Sequence, residues 1–120
     1  MSEQLFSSKL ISPAVIKSLK PGFAVRPLAP TDYEKDRYNY LKKHNHEYFT
    51  IVIEDTVKQV IVGAGTIFVE RKFVHHNGLV GHIEDIVTHS EYRGKNLGWL
   101  VIETLKYIGE QTGCYKSNDC

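Results

Sequence analysis

Residues 79–98 read LVGHIEDIVTHSEYRGKNLG, and they join a strand pattern to a helix pattern through a basic loop. The first part, residues 79–88, is rich in β-branched and apolar residues, which predicts a strand. From Leu97 the apolar residues fall at offsets of three, four, eight and eleven, which form one stripe of an α-helix. Gly113 is placed to end this helix. A strand, a loop and an amphipathic helix in this order indicate a domain that contains both α and β structure.

Other elements are predicted on both sides of this unit. Residues 1–22 look like a leader with a short helix at 13–19, and the domain proper is expected at residues 23–120. The predicted elements within it are a strand at 23–27, a helix from 31 to about 43, a hairpin of 48–53 and 59–69 turning at Glu54-Asp55, a tight turn at Asn77-Gly78, and the start of a strand at 114–116. We therefore predict an α+β fold with a mixed, mostly antiparallel sheet flanked by helices.

Length and charge narrow the functional classes. The chain has 120 residues, 42% of them hydrophobic and 24% charged, which is typical of one globular domain. Fifteen basic and fourteen acidic residues leave a formal charge of +1, so nucleic-acid binding is not expected. The two cysteines are too few for a disulfide framework, and no apolar run reaches the roughly twenty residues of a membrane-spanning helix. We expect a cytoplasmic protein with no membrane-spanning segment.

The basic loop before the helix is a candidate anion site. N–H groups at a helix N-terminus are unpaired and lie at the positive end of the helix dipole, so they attract phosphate oxygens. Gly94 and Gly98 allow a ligand to approach the backbone, while Arg93 and Lys95 add positive charge. The spacing is neither that of a Walker loop nor that of a dinucleotide fingerprint. An ordinary basic turn that caps a helix is the alternative at this point.

Two carboxylates interrupt the apolar strand at 79–88. Glu84 and Asp85 are candidates for proton transfer, and the alternative is that they face solvent on an edge strand. The histidines do not have the spacing of a zinc site, and we propose no metal. Trp99 is interpreted as a packing residue, and Cys114 as a buried strand residue because no base is paired with it.

Several motifs together carry a family resemblance. The segments ERKFVH at 70–75, GHIEDIV at 81–87 and GCYK at 113–116 resemble the glucosamine 6-phosphate N-acetyltransferases, a family within the GNAT superfamily. The loop RGKNLG at 93–98 is similar to the acetyl-CoA loop of that superfamily. The resemblance covers roughly residues 22–36 and 46–116. It implies an acetyltransferase that acts on glucosamine 6-phosphate in UDP-N-acetylglucosamine synthesis, with acetyl-CoA as co-substrate.

The resemblance also implies which residues contact each substrate. The strand backbone would pair with the pantetheine arm of acetyl-CoA and the loop would hold its pyrophosphate; these cofactor-binding residues are Ile86, Val87, Thr88, Arg93, Gly94, Lys95, Asn96, Leu97 and Gly98. The residues implied for the amino sugar phosphate are Lys72, Phe73, Val74, His75, Glu84, Asp85, Ile86, Tyr115 and Lys116. Tyr115 and Lys116 would act from the partner subunit of a homodimer. Glu84 is the candidate base, and Asp119 is a candidate for orienting the amine.

The sequence departs from the family pattern in two places. An internal helical segment that normally follows the equivalent of residues 32–36 is missing here, and the chain ends before the last strands and before a tyrosine that protonates the CoA thiolate. The resemblance therefore implies a partial acetyltransferase domain. Two alternatives stay open: an inactive form that binds CoA or pairs with full-length subunits, and an acetyltransferase for another small amine or a peptide.

Overall fold

The computed structural model describes residues 4–29, 32, 47–72, 78–92 and 96–119. Apart from Asp32, the predicted helix at 31–43 lies outside these residues, and so does Asn77 of the predicted tight turn. The described elements are a 3-10 helix Ser8–Leu10, α1 Pro13–Ser18, β1 Phe23–Pro27, β2 Tyr48–Asp55, β3 Val60–Lys72, β4 Gly78–Thr88, a 3-10 helix Ser90–Tyr92, α2 Leu97–Gln111 and β5 Cys114–Asp119.

The strands form one sheet in the order β1-β2-β3-β4-β5. The first three pairs are antiparallel, and β4 pairs with β5 in parallel. The predicted α+β class with a mostly antiparallel sheet is therefore confirmed. In the described part of the chain, no helix combines the length and the apolar character of a membrane span.

Helix α2 covers one face of the sheet with the stripe that the sequence predicts. Its buried apolar residues, none more than 5% exposed, are Leu97, Leu100, Val101, Leu105 and Ile108. Burying each of these side chains contributes roughly 1.5–3 kcal/mol, which makes α2 a principal part of the core. Thr104 is also fully buried and donates its hydroxyl to the Leu100 carbonyl at 2.6 Å. After α2, Gly113 adopts a φ of +96°, a conformation that glycine reaches without steric strain.

The N-terminal residues pack against the same core. Leu5, Phe6, Ile11 and Val15 are buried in contact with the sheet and α2. The Leu5 N–H donates to the Leu28 carbonyl at 2.7 Å, and Ser12 caps α1 by accepting from the Val15 N–H. The described residues before β1 thus contribute to the folded domain.

An ion network fixes the edge where β1 meets β2. The Arg26 guanidinium donates two hydrogen bonds to Asp32, at 2.7 and 3.0 Å, and a third to Glu54 at 3.2 Å. Burial raises the pKa of Asp32, but the hydrogen bonds from Arg26 and from the Ala29 N–H, together with the Arg26 charge, outweigh burial and leave the pKa below its ordinary value. The ionised form of Asp32 therefore stabilises this edge.

The turn of the first hairpin differs from the prediction. The sequence placed it at Glu54-Asp55, whereas both residues end β2 and the turn lies at residues 56–59. The reason is the Asp55 side chain, whose Oδ1 accepts from the Val57 and Lys58 N–H groups at 3.0 and 3.2 Å. This carboxylate caps the turn from the end of the strand instead of lying within it.

A β-bulge interrupts the pairing of β3 with β4. Ala64 pairs with Val87 and Thr66 pairs with Glu84, so Gly65 alone lies opposite Asp85 and Ile86. Asp85 has a φ of +58°, which is uncommon for a residue other than glycine. A Cβ on Gly65 would lie 2.5 Å from Val101 Cγ1, so α2 packs directly over the bulge. The predicted cofactor-binding residues of β4, Ile86, Val87 and Thr88, lie at the bulge and directly after it.

Candidate functional site

The end of β4 is an open edge. Strand β5 pairs with β4 from Leu79–Cys114 to Ile83–Asp119, and the described residues provide no strand partner for residues 84–88 on this side. Ile86 and Val87 are 37% and 62% exposed there, although both are apolar. Unpaired backbone N–H and C=O groups beside exposed apolar side chains fit an extended ligand that carries amide groups. The predicted cofactor residues Ile86, Val87 and Thr88 all lie on this edge.

The N-terminus of α2 lies one short loop beyond this edge. Its cap residue, Asn96, is in the left-handed conformation and makes no side-chain capping hydrogen bond, and the first turn of α2 contains no acidic residue. A Cβ on Gly98 would meet nothing within 4 Å. The helix therefore presents uncapped N–H groups beside open space, the arrangement that binds phosphate oxygens. Arg93, Gly94 and Lys95 lie outside the described residues.

The loop before α2 is preceded by a residue tied to the sheet. Tyr92 ends the 3-10 helix and donates its hydroxyl to Asp55 Oδ2 at 2.7 Å. This hydrogen bond is the main cause of a lowered pKa for Asp55, which the Lys58 and Val57 N–H groups lower further against the effect of burial. The same hydrogen bond and burial raise the pKa of Tyr92. Asp55 is thus a charged acceptor and Tyr92 a neutral donor near pH 7.

Glu84 lies on the face of the sheet opposite α2. Gly65 faces α2, and because side chains alternate along a strand, Thr66 and its partner Glu84 face the other way. Thr66 is joined to Thr50 by a hydroxyl hydrogen bond of 2.8 Å. Glu84 is half-buried, whereas Asp85, at the bulge, is exposed. The sheet thus presents a carboxylate next to a bulge and next to the open edge, a geometry that suits proton transfer at a bound substrate.

The second predicted catalytic residue, Asp119, lies on the strand next to that of Glu84. Asp119 pairs with Ile83, the neighbour of Glu84, across the parallel pair of β4 and β5. The register therefore brings Glu84 and Asp119 to adjacent positions of two neighbouring strands. The sequence separates them by more than thirty positions, and it is the return of the chain through α2 that brings the two strands together.

The other residues predicted for the amino sugar phosphate, those besides Glu84, Asp85 and Ile86, do not lie at this edge. Lys72 pairs with Gly78, and Lys116 pairs with Val80, at the opposite end of β4 from Thr88. Lys72 is six residues along β3 from Thr66, the partner of Glu84, which is about 20 Å of extended strand. Phe73, Val74 and His75 lie outside the described residues. Tyr115 and Lys116 lie at the same end of the sheet as Lys72. Within one chain, this group of residues is therefore separated from Glu84 along the strands.

Sequence reasoning missed two features of this region. The first is the Tyr92–Asp55 hydrogen bond, for which the only local signal was a tyrosine directly before the basic loop. The second is Trp99, interpreted as a packing residue but 55% exposed, which lines a cavity of about 110 Å³ with Leu19 and Phe23. Among the described side chains, no group of His, Cys, Asp and Glu has the arrangement of a metal site.

Comparison with known proteins identifies related chains. Residues 13–120 match the acetyltransferase (GNAT) family. The chain is 42% identical over 115 residues to "Glucosamine 6-phosphate N-acetyltransferase 1" of Dictyostelium discoideum, covering 79% of this chain and 73% of that protein. It is 38% identical over 122 residues to "Probable glucosamine 6-phosphate N-acetyltransferase" of Drosophila melanogaster, covering 84% of this chain and 56% of that protein. The chain thus spans only part of the length of these relatives.

A solved structure is similar over most of the fold. The crystal structure of glucosamine-6-phosphate N-acetyltransferase from Arabidopsis thaliana superposes with a TM-score of 0.78 at 28% identity, covering 82% of this chain and 81% of that chain.

The alignment with the Dictyostelium relative is longer than the part of this chain that it covers. The Dictyostelium alignment has 115 positions, but 79% of 120 residues is about 95, so that relative carries about twenty residues without a counterpart here.

Proposed function

The chain belongs to the acetyltransferase (GNAT) family, and from this premise we propose that it transfers the acetyl group of acetyl-CoA to the amine of D-glucosamine 6-phosphate. The product would be N-acetyl-D-glucosamine 6-phosphate, a precursor in UDP-N-acetylglucosamine synthesis, made in the cytoplasm. The observation that carries the proposal is the continuity of two ligand-binding features: the open edge of β4 at residues 84–88 leads within one loop to the uncapped N-terminus of α2. The names of the relatives in Dictyostelium and Arabidopsis support this choice of acceptor.

The two features match the two ends of acetyl-CoA. The pantetheine arm contains amide groups and is extended, so it can pair, as an added strand would, with the backbone groups that residues 86–88 direct toward the open side of β4. Its diphosphate then reaches the first turn of α2, where uncapped N–H groups and the space above Gly98 receive it. Arg93 and Lys95 would neutralise part of its charge, because they directly precede this turn in the sequence.

The chemistry requires a proton acceptor and an oxyanion site. The amine attacks the thioester carbonyl only when it is neutral, and we assign Glu84 to accept the proton that the amine loses. A bond forms between the amine nitrogen and the acetyl carbon, the carbon–sulfur bond breaks, and CoA leaves as a thiolate that takes up a proton. At the bulge, where Asp85 and Ile86 lie opposite Gly65 alone, a backbone N–H group outside the regular ladder would stabilise the oxyanion of the intermediate.

A homodimer would supply a second chain to bind the acceptor phosphate. Lys72 lies about 20 Å along β3 from the partner of Glu84, too far for both residues to touch one small amino sugar. Tyr115 and Lys116 lie at the same end of the sheet as Lys72. We therefore propose a homodimer in which Glu84 and Asp85 of one subunit face the phosphate-binding end of the other, including Phe73, Val74 and His75.

The test is formation of product by the purified chain. Acetyl-CoA and glucosamine 6-phosphate are mixed with the protein, and both the free CoA thiol and the acetylated sugar are quantified, the sugar by mass spectrometry. We expect one acetylated sugar for each thiol released, and little reaction with glucosamine that lacks the phosphate. If a folded sample binds acetyl-CoA and forms no product, the proposal fails and a form that only binds CoA takes its place. Preference for another amine would instead show that the acceptor is wrong.

A further inference from the structure

The 3-10 helix before the basic loop is fixed to the sheet by Tyr92. Its hydroxyl donates to Asp55 Oδ2 at 2.7 Å across a sequence separation of 37 residues. Asp55 is only 8% exposed, and its other carboxylate oxygen accepts the N–H groups of Val57 and Lys58. The acceptor is therefore a charged group held in place at the end of β2, and a hydrogen bond to such a group is stronger than one between neutral partners.

Ring contacts and backbone hydrogen bonds hold the same residue. The Tyr92 ring packs edge-to-face against Phe23 of β1 at 6.0 Å and against His89 at 5.5 Å. The Tyr92 N–H donates to the His89 carbonyl, and the His89 N–H donates to the Val62 carbonyl of β3. Tyr92 is thereby connected to β1, β2 and β3, so its position is set by the sheet.

Tyr92 directly precedes the candidate diphosphate site in the sequence. Only residues 93–95 separate Tyr92 from Asn96, the cap of α2, whose carbonyl already accepts from the Leu100 N–H. Both ends of this short basic segment are therefore attached to fixed elements. Tyr92 and Asn96 are already held in place, so they lose little conformational entropy when a ligand binds beside them.

We propose that Tyr92 and Asp55 are positioning residues for the diphosphate of acetyl-CoA. Neither residue would contact the reacting atoms; their hydrogen bond holds the chain where it enters the loop before α2, beside the first turn whose N–H groups would receive the diphosphate. This inference rests on the proposed acetyl-CoA-dependent activity. A substitution that removes this hydrogen bond should weaken binding of the diphosphate of acetyl-CoA and leave the reaction at the thioester unchanged.

The test uses Tyr92→Phe, which removes the hydroxyl and keeps both ring contacts. The Kd for acetyl-CoA, measured by calorimetry, should rise about three- to thirtyfold, the range for residues that act through their neighbours. The kcat at saturating acetyl-CoA should stay within about twofold of the unsubstituted value, because the reacting groups are unchanged. With S-acetylpantetheine, which has the thioester but no diphosphate, the KM should be the same for both proteins.

Matched variants separate positioning from general damage. Tyr107→Phe removes the same hydroxyl from α2, where it makes no hydrogen bond to a described residue, and it should leave the Kd unchanged. Asp55→Asn keeps a neutral hydrogen-bond partner for the Tyr92 hydroxyl and should raise the Kd less than Tyr92→Phe does. The double variant should bind no more weakly than Tyr92→Phe, because both changes act through one hydrogen bond. If Tyr92→Phe does not fold, Asp55→Asn takes its place in the comparison of the two thioesters.

Two results would overturn the inference. One is an unchanged acetyl-CoA Kd in Tyr92→Phe, and the other is an equal loss with acetyl-CoA and S-acetylpantetheine. Failure of the proposed function has a different signature, since the unsubstituted protein would then form no acetylated sugar, whether or not it binds acetyl-CoA.

Discussion

Gly65→Ala is expected to separate α2 from the sheet at the bulge. The added Cβ would lie 2.5 Å from Val101 Cγ1 and 3.0 Å from Leu105 Cδ1, whereas carbon atoms in ordinary contact are about 3.5–4.0 Å apart. Val101 is fully buried, and a β-branched side chain in a helix has one strongly preferred rotamer, so it cannot turn away. The helix must therefore move by about 1 Å at this point to restore ordinary contact distances.

The magnitude follows from two opposing effects. Overpacking a buried site typically destabilises a protein by about 1–3 kcal/mol. Replacing glycine by alanine also removes conformational freedom from the unfolded chain, which offsets about 0.4–1 kcal/mol. We expect the free energy of unfolding to fall by about 1–2 kcal/mol, which corresponds to a Tm lower by roughly 4–8 °C for a chain of this size.

Gly63→Ala is the matched control because Gly63 lies two residues away on the same face of β3. Its added Cβ would lie 3.6 Å from Ile53 and 3.7 Å from Val101, which are ordinary contacts. This variant should be as stable as the unsubstituted protein or slightly more so. Urea unfolding followed by circular dichroism measures both variants, and Gly65→Ala combined with Val101→Ala should be destabilised by less than the sum of the two single variants. Equal stabilities for the two glycine variants, or additive losses in the double variant, would refute the steric explanation.

Three further predictions concern the site and its supports. Gly98→Ala should raise the Tm of the protein without ligand, because alanine is a better helix former by about 1 kcal/mol and its Cβ enters open space. The same variant should bind acetyl-CoA more weakly. Unchanged binding in calorimetry would exclude Gly98 from the ligand site. Glu84→Gln should lower kcat by about 10²–10⁴-fold with an unchanged acetyl-CoA Kd, whereas equal losses in both would mean structural damage rather than loss of a base. Because the pKa of Asp32 is lower in the folded state, its ionised form adds stability above its unfolded pKa, and that stability is lost as pH falls through the folded pKa. Asp32→Asn should therefore destabilise the protein at pH 7 and make little difference near about pH 2, and a constant difference in urea unfolding at the two pH values would argue against this role.

The helices and strands that the sequence predicted correctly are those with a local periodic signal. The stripe of α2 was visible because core contacts in a helix recur at three and four residues, and all five of its residues are buried. Strands β2, β3 and β4 were visible because β-branched residues cluster in them. The first turn was misplaced because an aspartate that caps a turn from the end of a strand has the same composition as one within the turn.

The candidate site was predictable only in part. The carboxylates of β4 and the basic loop lie within fifteen residues of each other, so a motif could reveal them. The separation of Lys72 from Glu84 could not be found in the same way, because it depends on how far two positions of one hairpin lie along an extended strand. That distance is the reason why a second subunit enters the proposed function.

The sequence by itself determined the order of the elements, the buried face of α2 and the residue types that can bind an anion and accept a proton. These properties depend on neighbours along the chain, which a single sequence records. The tertiary structure alone decided that Gly65 admits α2 over the bulge, that Asp119 lies beside Ile83, and that Asp55 holds Tyr92. Each of these contacts joins segments far apart in sequence, and they form because α2 and the sheet bury their apolar faces against each other, an effect that has no direction and leaves no local motif.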